Sequence, residues 1–194
     1  MKQKPNWEEH GELIKEGPPR PLLVKALEFV KPGGKALDVG AGALNDTRYL
    51  LQQGFDVSAV DGSEETVKKA AANIQSEKFR YSISTFADFD FPRDVYDLVS
   101  AMFSLTFNPP ETFEAVFQKM KESLVKGGIL CGNICGPKDD WCPDPERTFR
   151  TKEEVEALLA DMEIISLKEG ERDGILANGT PKHWHLIHFI AKKC

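Results

Sequence analysis

Apolar residues along this chain alternate between two spacings. Leu22, Leu23, Ala26, Phe29 and Val30 recur at helical intervals and stop at Pro32-Gly33-Gly34, which predicts a helix over residues 21–30. A short apolar run at 36–39 then predicts a first strand ending at Gly40. Asn45 or Asp46 can cap the following helix, which passes through Tyr49, Leu50 and Leu51 to Gly54. The same alternation continues with a second strand at 55–60 and a helix that starts at Ser63-Glu64-Glu65 and ends near Gln75.

A third strand is expected over 80–86 and a fourth over 96–103, the latter apolar almost throughout, as in a strand buried on both faces. Asn108-Pro109-Pro110 opens a helix to about Leu124, with Asn108 as its cap, and Lys126-Gly127-Gly128 precedes a fifth strand at 129–135. Thr151-Lys152-Glu153-Glu154 fits a capping box before Val155, Leu158, Leu159 and Met162. A strand at 163–168, a polar stretch at 169–182 containing the turn pair Asn178-Gly179, and a strand at 183–191 complete the chain. Strands alternating with helices predict an α/β domain whose doubly wound sheet is mostly parallel, with one antiparallel strand added at the C-terminal edge. The 194 residues suit a single domain, with residues 1–20 an N-terminal extension or lid.

Charge and cysteine usage narrow the partners. Thirty-one acidic residues against 25 basic ones give a net charge of -6, and the basic residues are scattered. Nucleic acid and anionic membrane surfaces, which need dense Lys/Arg, are therefore disfavoured as partners. No signal peptide or membrane span is legible, so a cytoplasmic location is expected. Cys131, Cys135, Cys142 and Cys194 match no paired zinc spacing and read as free thiols, and no metal site is expected.

Ligands of doubly wound sheets bind beyond the carboxyl ends of the strands, which directs attention to the loops there. After the first strand, Asp38-Val39-Gly40-Ala41-Gly42 can turn sharply and bring bare backbone to a ligand, with the N–H groups of the next helix facing the same spot. After the second, Asp61 lies where a carboxylate can accept both hydroxyls of a ribose, followed by Gly62 and Ser63. After the third, Ala87-Asp88-Phe89 offers an acceptor for an adenine amine and an apolar wall. After the fourth, Ala101, Met102 and Phe103 can close the other face of the base or line a reaction chamber.

With these residues in this order, the chain resembles the class I S-adenosylmethionine-dependent methyltransferases from about Pro21 to its end. The carrying segments are Leu37-Asp38-Val39-Gly40-Ala41-Gly42, Val60-Asp61-Gly62-Ser63, Ala87-Asp88 and Val125-Lys126-Gly127-Gly128-Ile129-Leu130. The resemblance implies a Rossmann-like three-layer αβα fold with a seven-stranded sheet, and S-adenosylmethionine as cofactor with S-adenosylhomocysteine as product. It further implies Asp61 on the ribose, Asp88 on the adenine amine, the Gly40–Gly42 loop on the methionine part, and a small-molecule methyl acceptor. The ending Lys182-His183-Trp184-His185-Leu186-Ile187-His188 is similar to bacterial methyltransferases of the tellurite-resistance and thiopurine type. The chain departs from the family at Leu44, where a third glycine is common.

Three rival readings carry less. A nicotinamide-dependent dehydrogenase would place its third glycine at Asn45. The Asn-Pro-Pro motif of adenine methyltransferases acting on nucleic acids must end the fourth strand, whereas Asn108 lies well past it. A non-catalytic module that binds S-adenosylmethionine as a regulator remains the alternative of a different class. Among the histidines, 183 and 185 share one strand face and 188 the other, a poor geometry for a common metal. Trp7 and Trp141 are placed as lids or packing anchors. Methyl transfer requires no general base, so no catalytic side chain is named.

Overall fold

The apolar runs become the strands β1 (Lys35–Val39), β2 (Asp56–Asp61), β3 (Phe79–Ile83), β4 (Tyr96–Ala101), β5 (Leu124–Cys135), β6 (Met162–Ile175) and β7 (Pro181–Lys193). The helices are α1 (Trp7–Ile14), α2 (Pro21–Ala26), α3 (Asn45–Gln52), α4 (Glu64–Ala71), α5 (Pro110–Ser123) and α6 (Lys152–Leu158), all in a computed structural model that describes residues 6–194. All seven strands join one sheet in the order β3-β2-β1-β4-β5-β7-β6. β7 alone runs opposite to the other six strands, and it lies between β5 and β6 instead of at the edge. The edge falls to β6, whose mostly polar residues tolerate water on its unpaired side.

Two apolar layers sandwich the sheet. Leu23 and Ala26 of α2 and Leu50 of α3 pack with Leu98, Ile129 and Ile190 on one face. Phe113, Phe117 and Met120 of α5 and Val155 of α6 pack with Leu37, Val99 and Ile187 on the other. Burial on both faces is why β1 and β4 read as mostly apolar runs.

Four differences from the sequence expectations have local causes. The third strand stops at Ile83, where its last ladder bond runs from the Ser84 N–H to the Asp61 carbonyl at 3.1 Å, and the chain turns at 86–88. The fifth begins at Leu124, and its register on β4 jumps across Gly127 and Gly128, with Gly127 at φ 80°. The polar stretch at 169–182 forms the tip of a long β6–β7 hairpin, extending both strands past the expected bounds and turning at Gly179 with φ 84°. An edge hairpin is held by its backbone ladder, so apolar patterning does not reveal it. Finally, Pro109 occupies the cap of α5 without a side-chain bond, and Asn108 instead accepts the Thr112 hydroxyl at 3.2 Å.

The capping box at Thr151 is present as expected, with Thr151 and Glu154 exchanging side-chain-to-backbone bonds. Thr151→Ala is expected to cost about 1 kcal/mol in urea unfolding, as for other lost N-caps. Among the described residues no helix is long and apolar enough to cross a membrane.

Candidate functional site

Between β1 and β4 the strand order reverses, and a cleft of about 530 Å³ opens beyond their carboxyl ends. That volume suits one ligand of drug or nucleoside size. Its floor is set by the loop after β1. Gly40 takes φ 76°, and the space where a side chain would stand is filled by Ser104, whose hydroxyl donates to the Val39 carbonyl at 2.7 Å. Gly42 takes φ 49° and has no atom within 4 Å of where its side chain would be, so its backbone faces open cleft. Leu44, where the family often has glycine, also adopts the left-handed region at φ 61°. Its side chain is fully buried, and that burial offsets a conformational cost of roughly 1–2 kcal/mol.

Asp61 ends β2 and ties two loops together. One of its oxygens accepts the Gly42 N–H at 2.9 Å and the other the Ser63 N–H at 2.8 Å. Each carboxylate oxygen has two acceptor sites, so one per oxygen remains for a ligand's hydroxyls.

Asp38 is buried beside this loop and accepts the Thr47 hydroxyl at 2.7 Å. Burial, first, and the nearby Asp46 carboxylate, second, push its carboxyl up to about 7. Burial also raises Asp46, whose oxygen accepts the Arg20 backbone N–H at 2.7 Å. An acid raised in the folded state favours folding most at low pH. Its contribution is fully present below about 4 and is lost as pH rises through about 7. Asp38→Asn is therefore expected to gain stability over the wild type at pH 8 but not at pH 4, read from urea midpoints at the two values.

Ten of the thirteen residues singled out from sequence line this cleft: Asp38 and Gly40 to Gly42 from the first loop, Asp61 to Ser63 from the second, Ala87 from the third, and Met102 and Phe103 from the fourth. Three do not. Asp88 is exposed and turned back on Thr85, whose hydroxyl donates to it at 2.7 Å, so the third loop presents Thr85, Phe86 and Ala87 to the cleft. Phe89 packs edge-on against Phe91 beside the core. Ala101 is enclosed within β4 as part of that core.

The other wall comes from the segment expected as an extension or lid, in which sequence reading named Trp7 alone, and from the stretch after β4. Trp7, His10 and Ile14 of α1, together with Arg20, Phe107 and Asn108, also line the cleft. Helix α1 is held over it from both ends. The Thr66 hydroxyl donates to the Trp7 carbonyl at 3.0 Å, and the Asn45 amide donates to the Ile14 carbonyl at 2.6 Å. The Arg20 guanidinium stands 4.9 Å over the Phe103 ring, and Phe103 itself takes φ 56° with its N–H on the Asn133 side chain. Behind Phe107, Trp141 packs at 5.4 Å and leads to Trp184. A Pro21 start for α2 fixes Arg20 in extended backbone, but nothing in the pattern marks its side chain as facing a cleft.

The histidines near the C-terminus face elsewhere. His183 pairs with Asp173 and His185 with Glu169, each at 2.7 Å, and among the described residues no group of three or more potential ligands is gathered for a metal. The four cysteines are free.

Residues 36–128 match the family described as a methyltransferase domain. The chain is 27% identical over 178 residues to the probable S-adenosyl-L-methionine-dependent methyltransferase TehB of Haemophilus influenzae, covering 88% of this chain and 61% of that protein. The crystal structure of TehB from Haemophilus influenzae superposes with a TM-score of 0.73 at 22% identity, over 89% of this chain and 61% of that one. The Burkholderia thailandensis 1,6-didemethyltoxoflavin-N1-methyltransferase, solved with 1,6-didemethyltoxoflavin and S-adenosylhomocysteine, gives a TM-score of 0.68 at 21% identity, over 90% of this chain and 77% of that one. A shorter stretch of 76 residues is 36% identical to ribosomal RNA small subunit methyltransferase H of Nostoc punctiforme, covering 37% of this chain and 26% of that protein. The chain thus spans less than two thirds of the curated relatives it matches.

Proposed function

We propose that the chain, whose residues 36–128 match a methyltransferase domain and whose sheet has the methyltransferase fold, binds S-adenosylmethionine and methylates a small-molecule acceptor. The observation that carries this reading is the convergence of Gly42's bare backbone and the Asp61 carboxylate on one cleft. The residues present fit the cofactor. Asp61 keeps free acceptor sites for two ribose hydroxyls, Phe86, Ala87 and Met102 offer apolar wall for a base, and the Gly40–Gly42 loop leaves room for the amino-acid part.

The cofactor supplies a methyl group already activated by a sulfonium, so the reaction asks the protein mainly for alignment and exclusion of water. This chain meets the first demand by fixing Asp61 to two loops. It meets the second with α1 acting as a lid, whose Trp7 stands edge-on to Phe107 at 4.6 Å over the cleft. The faces of Trp7, Phe103 and Phe107 also suit a sulfonium nearby and a compact, partly apolar acceptor. The Burkholderia neighbour's bound 1,6-didemethyltoxoflavin, together with the scattered basic residues, supports a small acceptor over a nucleic acid. Residues 6–194 form one domain on this reading, residues 1–5 of the expected 1–194 domain lie outside the described residues, and a cytoplasmic location is in keeping with it.

An assay for S-adenosylhomocysteine formation across thiols, amines, carboxylates and metalloid oxyanions tests the proposal. Turnover with at least one acceptor is expected. Tight cofactor binding with no turnover on any acceptor would favour a regulatory binding module instead.

A further inference from the structure

Five titratable side chains line the cleft among the described residues: Asp38, Asp46, Asp61, Arg20 and His10. Four of them are already engaged. Asp38 accepts the Thr47 hydroxyl, Asp46 accepts the Arg20 N–H, and Asp61 holds two loops together, while the Arg20 guanidinium lies over Phe103 and stays protonated at any working pH. His10 is the exception, since no protein group among the described residues bonds either nitrogen of its half-buried ring.

Trp7, His10, Gly11 and Ile14 occupy positions i, i+3, i+4 and i+7 of α1, one helix face, and all four line the cleft. Gly11 lets that face approach α4, because a side chain there would begin 2.5 Å from the Thr66 methyl. The His10 ring stands edge-on to Trp7 at 6.1 Å, and Trp7 edge-on to Phe107 at 4.6 Å, so the imidazole sits at the aromatic end of the cleft. Burial, first, and the Arg20 guanidinium, second, hold it below the usual imidazole range, which leaves it neutral at pH 7 with a lone pair to offer. The carboxylates facing the cleft are Asp38, Asp46 and Asp61, while Glu9 and Glu12 of its own helix are exposed and Lys69 of α4 is paired with Glu8.

On the reading of the cleft as a methyltransferase site, we propose that His10 is the catalytic proton acceptor and that the methyl acceptor is protic, a thiol, phenol or ring N–H that loses its proton on methylation. Such groups need a base. A thiol holds its proton up to about pH 8.5 and a phenol up to about 10, so at pH 7 few of their molecules are bare nucleophiles. In the step, a lone pair of the acceptor atom X (S, O or N) forms the X–CH3 bond, and the S–CH3 electron pair returns to sulfur as a neutral thioether. The X–H pair stays on X, and the proton passes to a ring nitrogen of His10. The positive charge lost by sulfur thus reappears on the imidazolium, and Arg20 beside it favours release of that proton to water.

The test compares turnover by the full chain of three protic probes, benzyl mercaptan, 4-methylphenol and 2-pyridone, with turnover of phenylacetate, which has no proton to lose at pH 7. The wild type is expected to methylate at least one protic probe. On that probe His10→Ala should lower kcat about a hundredfold or more at pH 7, with KM and calorimetric affinity for S-adenosylhomocysteine nearly unchanged, and added imidazole should restore part of the rate. Wild-type kcat should level off once His10 is neutral, whereas the variant's should keep climbing with pH toward the probe's own ionisation. Proton NMR identifies the His10 ring by its absence from His10→Ala; it should titrate below about 6.5, and higher in Arg20→Gln than in the wild type. An unchanged kcat, parallel pH profiles, or a His10 titration at or above about 6.5 would overturn the assignment. Turnover of none of the three protic probes, with S-adenosylhomocysteine still bound, would overturn the acceptor class and leave the cofactor reading standing. Failure of the wild type to bind S-adenosylhomocysteine would overturn both.

Discussion

Asp61→Ala is expected to weaken S-adenosylhomocysteine binding by about a hundredfold or more while leaving the protein folded. Two hydrogen bonds from ribose hydroxyls to a carboxylate are worth roughly 1.5–3 kcal/mol each, and about 2.7 kcal/mol corresponds to a hundredfold. The substitution also frees the Gly42 and Ser63 N–H groups, which Asp61 accepts at 2.9 and 2.8 Å, so the loop meant to face the methionine part loses its fixed position. Asp61 sits at the open end of β2, where water can reach the released donors, and the thermal midpoint should therefore move little. Isothermal calorimetry of wild type and variant under one buffer decides the matter. An unchanged affinity would remove Asp61 from the site.

A second substitution should act on stability far more than on binding. Lys182 and Asp139 form an ion pair with side chains 2% and 0% exposed. The ammonium lies 4.2 Å from the ring centres of both Trp141 and Trp184, and Asp139 also accepts the N–H groups of Trp141 at 3.0 Å and His185 at 3.2 Å. Removing one partner of a buried pair leaves the other charge uncompensated, at a cost of about 3–5 kcal/mol. For a chain of this length, Asp139→Ala should lower the thermal midpoint by roughly 10 °C. Lys182→Met should cost less, because Asp139 keeps two backbone donors and the methionine stem still packs between the indoles. Urea unfolding followed by tryptophan emission measures both. A loss below about 1 kcal/mol for Asp139→Ala would mean that water or another group relieves Lys182. The consequence for the site is indirect. Trp141 backs Phe107, which lines the cleft, so loosening the pair should blur the acceptor wall before it disturbs Asp61.

These two residues also mark where the sequence was informative. Asp61 was legible because its role depends on chain order: an acid at the end of the second strand, a fixed distance past a glycine pair, can be placed by counting. The same holds for Gly40 and Gly42, whose left-handed backbone is a property that glycine advertises. Asp139 was not legible, since its partner lies 43 residues away on another strand and a lone Asp in a loop looks like any solvated turn. Arg20 and His10 were hidden for a similar reason, and Trp7 was legible only as a lid or a packing anchor. Helix α1 reaches the cleft through tertiary contacts with Thr66 and Asn45, and no period or motif encodes where a short terminal helix docks. Asp88 shows the reverse case, in which a motif position was right in order but its side chain turned to Thr85 and away from the cleft. Polar residues at 169–175 and 181–182 hid the length of the terminal hairpin, because an edge ladder is satisfied by backbone and carries no apolar signature.

The claim beneath all of this is that the mouths of β1, β2 and β4 form one slot for a nucleoside bearing an amino acid. A crystal structure of the protein with S-adenosylhomocysteine bound tests it most directly. The expected density places the ribose hydroxyls within hydrogen-bond distance of Asp61, the amino-acid chain along Gly40 to Gly42, and the sulfur facing Phe103 and Phe107. Density on any other part of the molecule, with the cleft between Gly42 and Asp61 empty, would contradict it.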